Sequence, residues 1–485
     1  MHLSALLELT LKKLPLLAVL LFSASATMAD TLTDIYELAL KNDPTLRAAQ
    51  ANYRAGLESK NIGLAGLLPQ INANANYTDS EQTTTGTNSF SSITGAGTDS
   101  DAELTSKGWG ITLDQKLFDM PAWFAFEQGK QLNVQAEAQF AADQQDLVVR
   151  VAEAYFDVLR AKDNLSASKA QEAANKRQLE QTQQRFDVGL IAITDVHEAQ
   201  ASFDLSVATR LGDQGNLGVS MEALSILTGQ PHYNLWTLVS NYPITNPDPM
   251  DKDQWVEFAL ANNYNLKVAK ATRDASHSQA KSSKYEHMPK ITARLGYDDT
   301  NNDGTNTENT PGSFIQSSDY NNDVDGSSIS LTLSMPIYAG GATSANSRRA
   351  YEQYNASLEN YAGTMRTTVQ TTRAFHLTVE TDVARTAARR QAITSSQSAL
   401  DATQAGYEVG TRNIVDVLNV QQSLYSAIRD YANTRYNYIV NMLKLKQLAG
   451  TLSPQDIYDL NKWLETPAAA TASDNSVTVI GDLQQ

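Results

Sequence analysis

The chain repeats itself, and that repeat limits its possible folds more than any other feature. Phe186-Asp-Val-Gly-Leu-Ile-Ala-Ile-Thr-Asp195-Val aligns without a gap on Tyr407-Glu-Val-Gly-Thr-Arg-Asn-Ile-Val-Asp416-Val, at an offset of 221. Earlier, Ile35–Leu46 aligns on Trp255–Leu266 at an offset of 220. Leu68-Pro-Gln-Ile71 aligns on Met288-Pro-Lys-Ile291, and Leu117-Phe118 on Ile337-Tyr338, at the same offset. Leu227-Thr-Gly229 aligns on Leu448-Ala-Gly450 at 221, so one residue is gained or lost inside a long helix. A period of this kind is read before any local element, since each copy is expected to fold alike.

The ends set the compartment. Lys12-Lys13, the apolar run Leu14–Phe22 and the small residues up to Ala29 form a secretory signal peptide at 1–29, cleaved after Ala29 or Ala26. No later apolar run approaches 20 residues, so no transmembrane helix is expected. The formal charge of -16 argues against nucleic acid as a partner. Cysteine is absent, which removes disulfides, thiol nucleophiles and Cys-zinc sites. A mean hydropathy of -0.37 suits long helices that each bury one narrow stripe.

Each half carries two runs of period two. Apolar residues alternate with asparagines over Ile71–Tyr77, and Trp109, Ile111 and Leu113 alternate with Gly110, Thr112 and Asp114. Ile291, Ala293, Leu295 and Tyr297 alternate likewise, as do Ile329, Leu331, Leu333 and Met335. Strands are expected at about 69–78, 107–118, 290–298 and 328–338, of a length that crosses an outer membrane at a tilt. An amphipathic sheet over an ordinary core is the alternative. Four strands cannot close a barrel, and an open edge in lipid leaves unpaired backbone groups. Closure is therefore shared between two, three or four copies. The intervening segments at 79–106 and 298–327 are acidic and read as external loops. Asp299–Gly304 imitates the start of a calcium loop but has Thr310 where the twelfth-position glutamate belongs.

Long helices are expected at about 122–186 and 343–407, and shorter ones at about 193–228 and 414–449. The halves, 30–230 and 251–450, are joined by a proline-punctuated connector at 231–250. A C-terminal helix at 451–465 and a disordered Ala/Thr/Ser-rich tail at 466–485 complete the chain. The six histidines are scattered, and no P-loop, Rossmann or nucleophile-elbow pattern occurs, so no enzyme, cofactor or catalytic residue is expected. His197, near Asp195, reads more readily as a solvated or packed histidine than as a pH-sensitive group. Gly189 and Gly410 fit helix C-terminal turns. Asp195 and Asp416 sit just inside the next helices, where both read as helix caps and Asp416 also as an acidic ring around a pore. Arg412 has no basic counterpart in the first copy, where Ile191 stands.

The stretches Leu68–Tyr77, Gln184–Val196, Leu331–Gly341, Gly406–Leu418 and Thr434–Tyr438 resemble TolC-type outer-membrane efflux ducts, the outer membrane factor family. The resemblance spans essentially the whole mature chain. It implies a mixed α+β membrane fold in a Gram-negative outer membrane: a homotrimer with a twelve-stranded β-barrel continuous with a periplasmic α-helical coiled-coil barrel. It implies a passive export duct for multidrug efflux and type I secretion, opened by a periplasmic adaptor and an inner-membrane pump or ABC exporter. Connector and C-terminal segment would form an equatorial belt. A closed-state latch is implied at Tyr407, Arg412, Thr194 and Asp195, and an adaptor-docking tip at Val188, Gly189, Val409 and Gly410. Two acidic entrance rings fall on Asp416 and Asn419, so this chain keeps one charged ring. The other function class compatible with the residues is a trimeric membrane-anchored adhesin or scaffold that does not conduct.

Overall fold

The computed structural model describes residues 30–86, 98–309 and 315–466; the signal peptide at 1–29 and the tail from 467 onward lie outside them. In order, the elements are α1 (Leu32–Asn42), α2 (Pro44–Ala65), β1 (Gln70–Gly86), β2 (Thr98–Phe118), α3 (Met120–Asp187) and α4 (Ile193–Thr228). A short β3 (Thr237–Leu238) precedes α5 (Lys252–Asn262), α6 (Tyr264–Lys284), β4 (Lys290–Asn309) and β5 (Gln316–Ser334). Then follow α7 (Ala342–Glu408), α8 (Ile414–Leu448), α9 (Pro454–Asn461) and β6 (Leu464–Glu465).

Helix starts are fixed locally. Thr31 and Asp34 form a capping box on α1, Asp43 caps α2 ahead of Pro44, and Asp119 caps α3. The 68 residues of α3 and 67 of α7 run about 100 Å at 1.5 Å per residue. Such rods have no core of their own. Buried side chains gather at mid-height, where Leu147, Val151, Tyr155, Phe156 and Leu159 of α3 meet Tyr436, Ile439 and Leu443 of α8. The C-terminal segment is shorter than expected in helix: α9 stops at Asn461, and β6 pairs antiparallel with β3 of the connector.

The four long strands form one antiparallel sheet in the order β1-β2-β4-β5. They exceed the expectation at their outer ends. The segments read as loops at 79–106 and 298–327 are largely strand, since the β1–β2 ladder continues to Gly86↔Thr98 and β4–β5 to Glu308↔Gln316. Backbone pairing is indifferent to side-chain polarity, so it persists after the apolar alternation ends. The parity continues in charge instead. Asp79, Glu81, Asp99, Asp101, Glu103, Asp299, Asp303, Asp319, Asp323 and Asp325 share the face of Ile71, Trp109, Leu295 and Ile329, and Glu81 lies opposite Glu103 as Asp299 does opposite Asp325. Asp299–Gly304 is paired strand, which removes the turn that a calcium loop requires. At the other end β5 stops at Ser334 rather than near 338, two residues short of Pro336, which lacks the N–H a ladder needs.

One ion pair fastens the short helices to the trunk. Asp43, 2% exposed, accepts from the α2 amides of Thr45 and Leu46 and from Arg150 Nη2 at 2.8 Å. Burial alone would raise its carboxyl, but the hydrogen bonds from Arg150 and Leu46 outweigh it and hold the group below its ordinary value. A folded value below the unfolded one gives stability that is present above about pH 4 and lost as pH falls through the folded value. Asp43→Asn copies the second repeat, where Asn263 caps α6. It is expected to cost about 1–3 kcal/mol at pH 7 and less at pH 3. Thermal unfolding at the two pH values checks this; an equal deficit at both rejects the charge argument.

Candidate functional site

The repeated turns lie at the far end of α3 and α7 from the sheet. After α3, Val188 caps the helix and Gly189 takes φ 77°, where a side chain is disfavoured. Gly189 N donates to Phe186 O and Leu190 N to Arg185 O. After α7 the pattern returns: Gly410 has φ 80°, Gly410 N donates to Tyr407 O, and Thr411 N to Gly406 O. Val188, Leu190 and Val409 are exposed, more than 70% in each case.

The two following helices start differently. Asn413 and Asp416 form a capping box: Asp416 N donates to Asn413 Oδ1 at 2.8 Å, and Asn413 N to Asp416 Oδ2 at 3.3 Å. The N-cap of α4 is Ala192, which makes no side-chain cap. Asp195 therefore does no capping, and among the described residues its carboxylate accepts only from Thr194 Oγ1, at 3.5 Å. Repeated sequence thus gives unequal chemistry, because the box needs an Asn-type side chain three residues ahead of the aspartate.

The four expected latch residues are not brought together within one chain. Arg412 lies 3.9 Å from Asp416 and makes no ion pair with Asp195. Tyr407 is 7% exposed and packs with Ile414, Val417 and Leu418, and its hydroxyl has no partner among the described residues. Asn419 is exposed. Two residues went unrecognised in the sequence. Arg185 sets its guanidinium 4.9 Å from the Tyr407 ring centroid. Gly406 makes room for Arg412, whose Cγ would lie 2.9 Å from a Cβ built there. The signal for both was in the alignment, where Arg185 falls opposite Gly406 at the offset of 221.

Elsewhere one hydrogen-bonded chain has the order of a catalytic triad. His232 Nδ1 lies 2.7 Å from Asp30 Oδ2, and Nε2 lies 2.7 Å from Thr228 Oγ1. Thr228 is fully buried, so no substrate can reach its hydroxyl; the chain ties the N-terminal segment to the end of α4. Among the described residues no His, Cys, Asp and Glu gather as a metal site, and no helix is long and apolar enough to cross a membrane.

A sheet with one apolar and one polar face, set on helices about 100 Å long, defines a class: a membrane sheet on a helical trunk. The family model "Outer membrane efflux protein" matches residues 35–230 and 255–451, that is, both repeats. The chain is 36% identical over 444 residues to outer membrane protein TolC of Vibrio cholerae serotype O1, covering 91% of this chain and 95% of that one. It is 28% identical over 447 residues to the alkaline protease secretion protein AprF of Pseudomonas aeruginosa, covering 91% and 88%. Among solved structures, the outer membrane protein VceC of Vibrio cholerae superposes with a TM-score of 0.67 at 20% identity, over 86% of this chain and 96% of that one. The chain belongs to the outer membrane efflux protein family. It is an outer-membrane efflux channel.

Proposed function

We propose that three copies close into one passive duct, a twelve-stranded barrel continuous with a helical tunnel. The observation that carries this is a missing neighbour, repeated in sheet and trunk. Within the chain, α6 lies between α3 and α7, and β2 of the first half pairs with β4 of the second. The equivalents α2 and β1 have extensive contacts on one side only, with α3 and β2. By the repeat, what they lack is an α7 and a β5 from another copy. Faces left open along these helices carry the matching apolar groups. Tyr351, Leu358 and Met365 are exposed at seven-residue spacing on α7, and Leu205, Val219 and Ile226, fourteen and seven residues apart, on α4. Eight strands would leave an interior filled by side chains, so three is the smallest number of copies that leaves a lumen.

In this assembly Arg412 and Tyr407 latch onto Thr194 and Asp195 of the partner subunit, and Asp416 forms the charged entrance ring with Asn419 beyond it. Support comes from Asp195, which caps no helix, and from the light packing of α4 on α8, which a ring repeats between copies. The exposed turn around Val188, Gly189, Val409 and Gly410 is the docking surface for a periplasmic adaptor. An inner-membrane pump or ABC exporter completes the path, and outer-membrane lipid surrounds the apolar band. AprF, a secretion protein, supports extending the reading from drugs to proteins.

The test combines particle mass in detergent with planar bilayers. A mass of three chains and stable cation-selective conductance are expected. An electrically silent trimer leaves the adhesin or scaffold reading; a mass of two or four chains rejects the closure argument.

A further inference from the structure

We infer that Arg185 is a gating residue, acting as a clamp on the ring of Tyr407. The inference rests on the channel reading and adds to it a contact within one chain.

Two partnerless groups meet here. In a chain with 54 acidic residues, the Arg185 guanidinium makes no ion pair or hydrogen bond among the described residues. Its one recorded partner is the face of Tyr407, 4.9 Å away. Tyr407 is buried except for 7% of its surface, yet its hydroxyl has no partner among the described residues. The ring is thus held by its face and by the packing of Ile414, Val417 and Leu418 beneath it. A guanidinium over an aromatic face at this distance is attractive by electrostatics alone and needs no hydroxyl.

The placement matters for gating. Arg185 lies in the last turn of α3 and Tyr407 in the last turn of α7, the two long helices that lead to the two turns. Their main neighbours are others: α3 packs on α2, α4, α6 and α8, while α7 packs on α5, α6 and α8. The pair therefore bridges the first helical hairpin to the second at the tip, and the hairpins cannot part there without breaking it. The repeat explains why one bridge forms per chain. Phe186 is the counterpart of Tyr407, but the counterpart of Arg185 is Gly406. There the second copy has emptied the position, and the space is filled by the stem of Arg412.

A double-mutant cycle tests the clamp. Tyr407→Phe keeps the ring and loses the hydroxyl; Tyr407→Leu loses the ring. In planar bilayers Arg185→Ala is expected to raise the ratio of open to closed levels about two- to five-fold, the range of a partly exposed cation–π contact. The same factor is expected in the Tyr407→Phe background and none in Tyr407→Leu. Amide hydrogen exchange of Thr411 and Arg412, whose N–H groups bond Gly406 O, reads the same coupling without conductance. Exchange should quicken on Arg185→Ala in the wild-type and Phe backgrounds only. An effect of Arg185→Ala that is absent, or equal in all three backgrounds, overturns the clamp. A wild-type protein that never conducts while the exchange cycle holds overturns the channel reading and leaves the clamp standing. Unchanged oligomer mass and unfolding midpoint in Arg185→Ala separate gating from folding.

Discussion

Gly450→Ala is expected to destabilise the protein severely, and Gly229→Ala, at the same position of the other repeat, only mildly. Both glycines end a helix in the left-handed region, with φ 69° and 74°. That conformation costs a residue with a Cβ about 1–2 kcal/mol at either site. The surroundings differ. A Cβ on Gly450 would lie 2.5 Å from the carbonyl carbon and oxygen of Asn262, which are backbone and end α5. The nearest atom to a Cβ on Gly229 is Asn42 Cβ at 3.8 Å, an ordinary contact. Overpacking against backbone adds about 1–3 kcal/mol or more, so Gly450→Ala should lose roughly twice what Gly229→Ala loses. Thermal or denaturant unfolding of the two variants decides it. Equal losses would mean that α5 moves freely away from the end of α8.

The second large effect concerns charge at the tip. Asp416→Asn keeps a side-chain oxygen for the capping box but removes the negative charge. If Asp416 forms the entrance ring, cation preference should fall by about five-fold at low salt, the worth of one unit charge at about 4 Å in a water-like medium. In 1 M salt the effect should shrink, since screening acts over about 3 Å. Arg412→Ser should move selectivity the other way, because Arg412 stands 3.9 Å from that carboxylate. Reversal potentials under a salt gradient measure both. If Asp416→Asn leaves them unchanged, the filter lies elsewhere, with the acidic outer strands the next region to vary.

Much of the architecture was legible before any coordinates. The helices at 193–228 and near 414–449 could be bounded because their ends are local. Gly189, Gly410, Gly229 and Gly450 each stop a helix by a backbone conformation that suits glycine. The membrane half of each strand was legible because its apolar side chains alternate. The outer half was missed because the alternation there passes from apolar groups to carboxylates. Odd-numbered Asp79, Glu81, Asp99, Asp101 and Glu103 carried the same parity in a form that hydropathy does not register.

At the tip the sequence singles out residues by their place in the repeat and says nothing of their partners. Thr194, Asp195, Tyr407, Arg412 and Asp416 stand out by position in the repeat. Yet the unequal capping of α4 and α8 depends on one residue, Ala192 against Asn413. The bridge from Arg185 to Tyr407 joins helices whose sequences give no sign of facing each other. By itself, then, the sequence determined a two-fold repeat, its helix stops and the faces of its membrane strands. Each is set by residues within a few positions of one another, through backbone conformation and side-chain period. Tertiary structure alone decided that β2 pairs with β4, that α6 stands between α3 and α7, and that Arg185 lies on Tyr407. Those contacts join residues that lie far apart in the chain, from His277 and Tyr354 to Arg185 and Tyr407. They arise from how long rods pack side by side, which no local window of residues encodes.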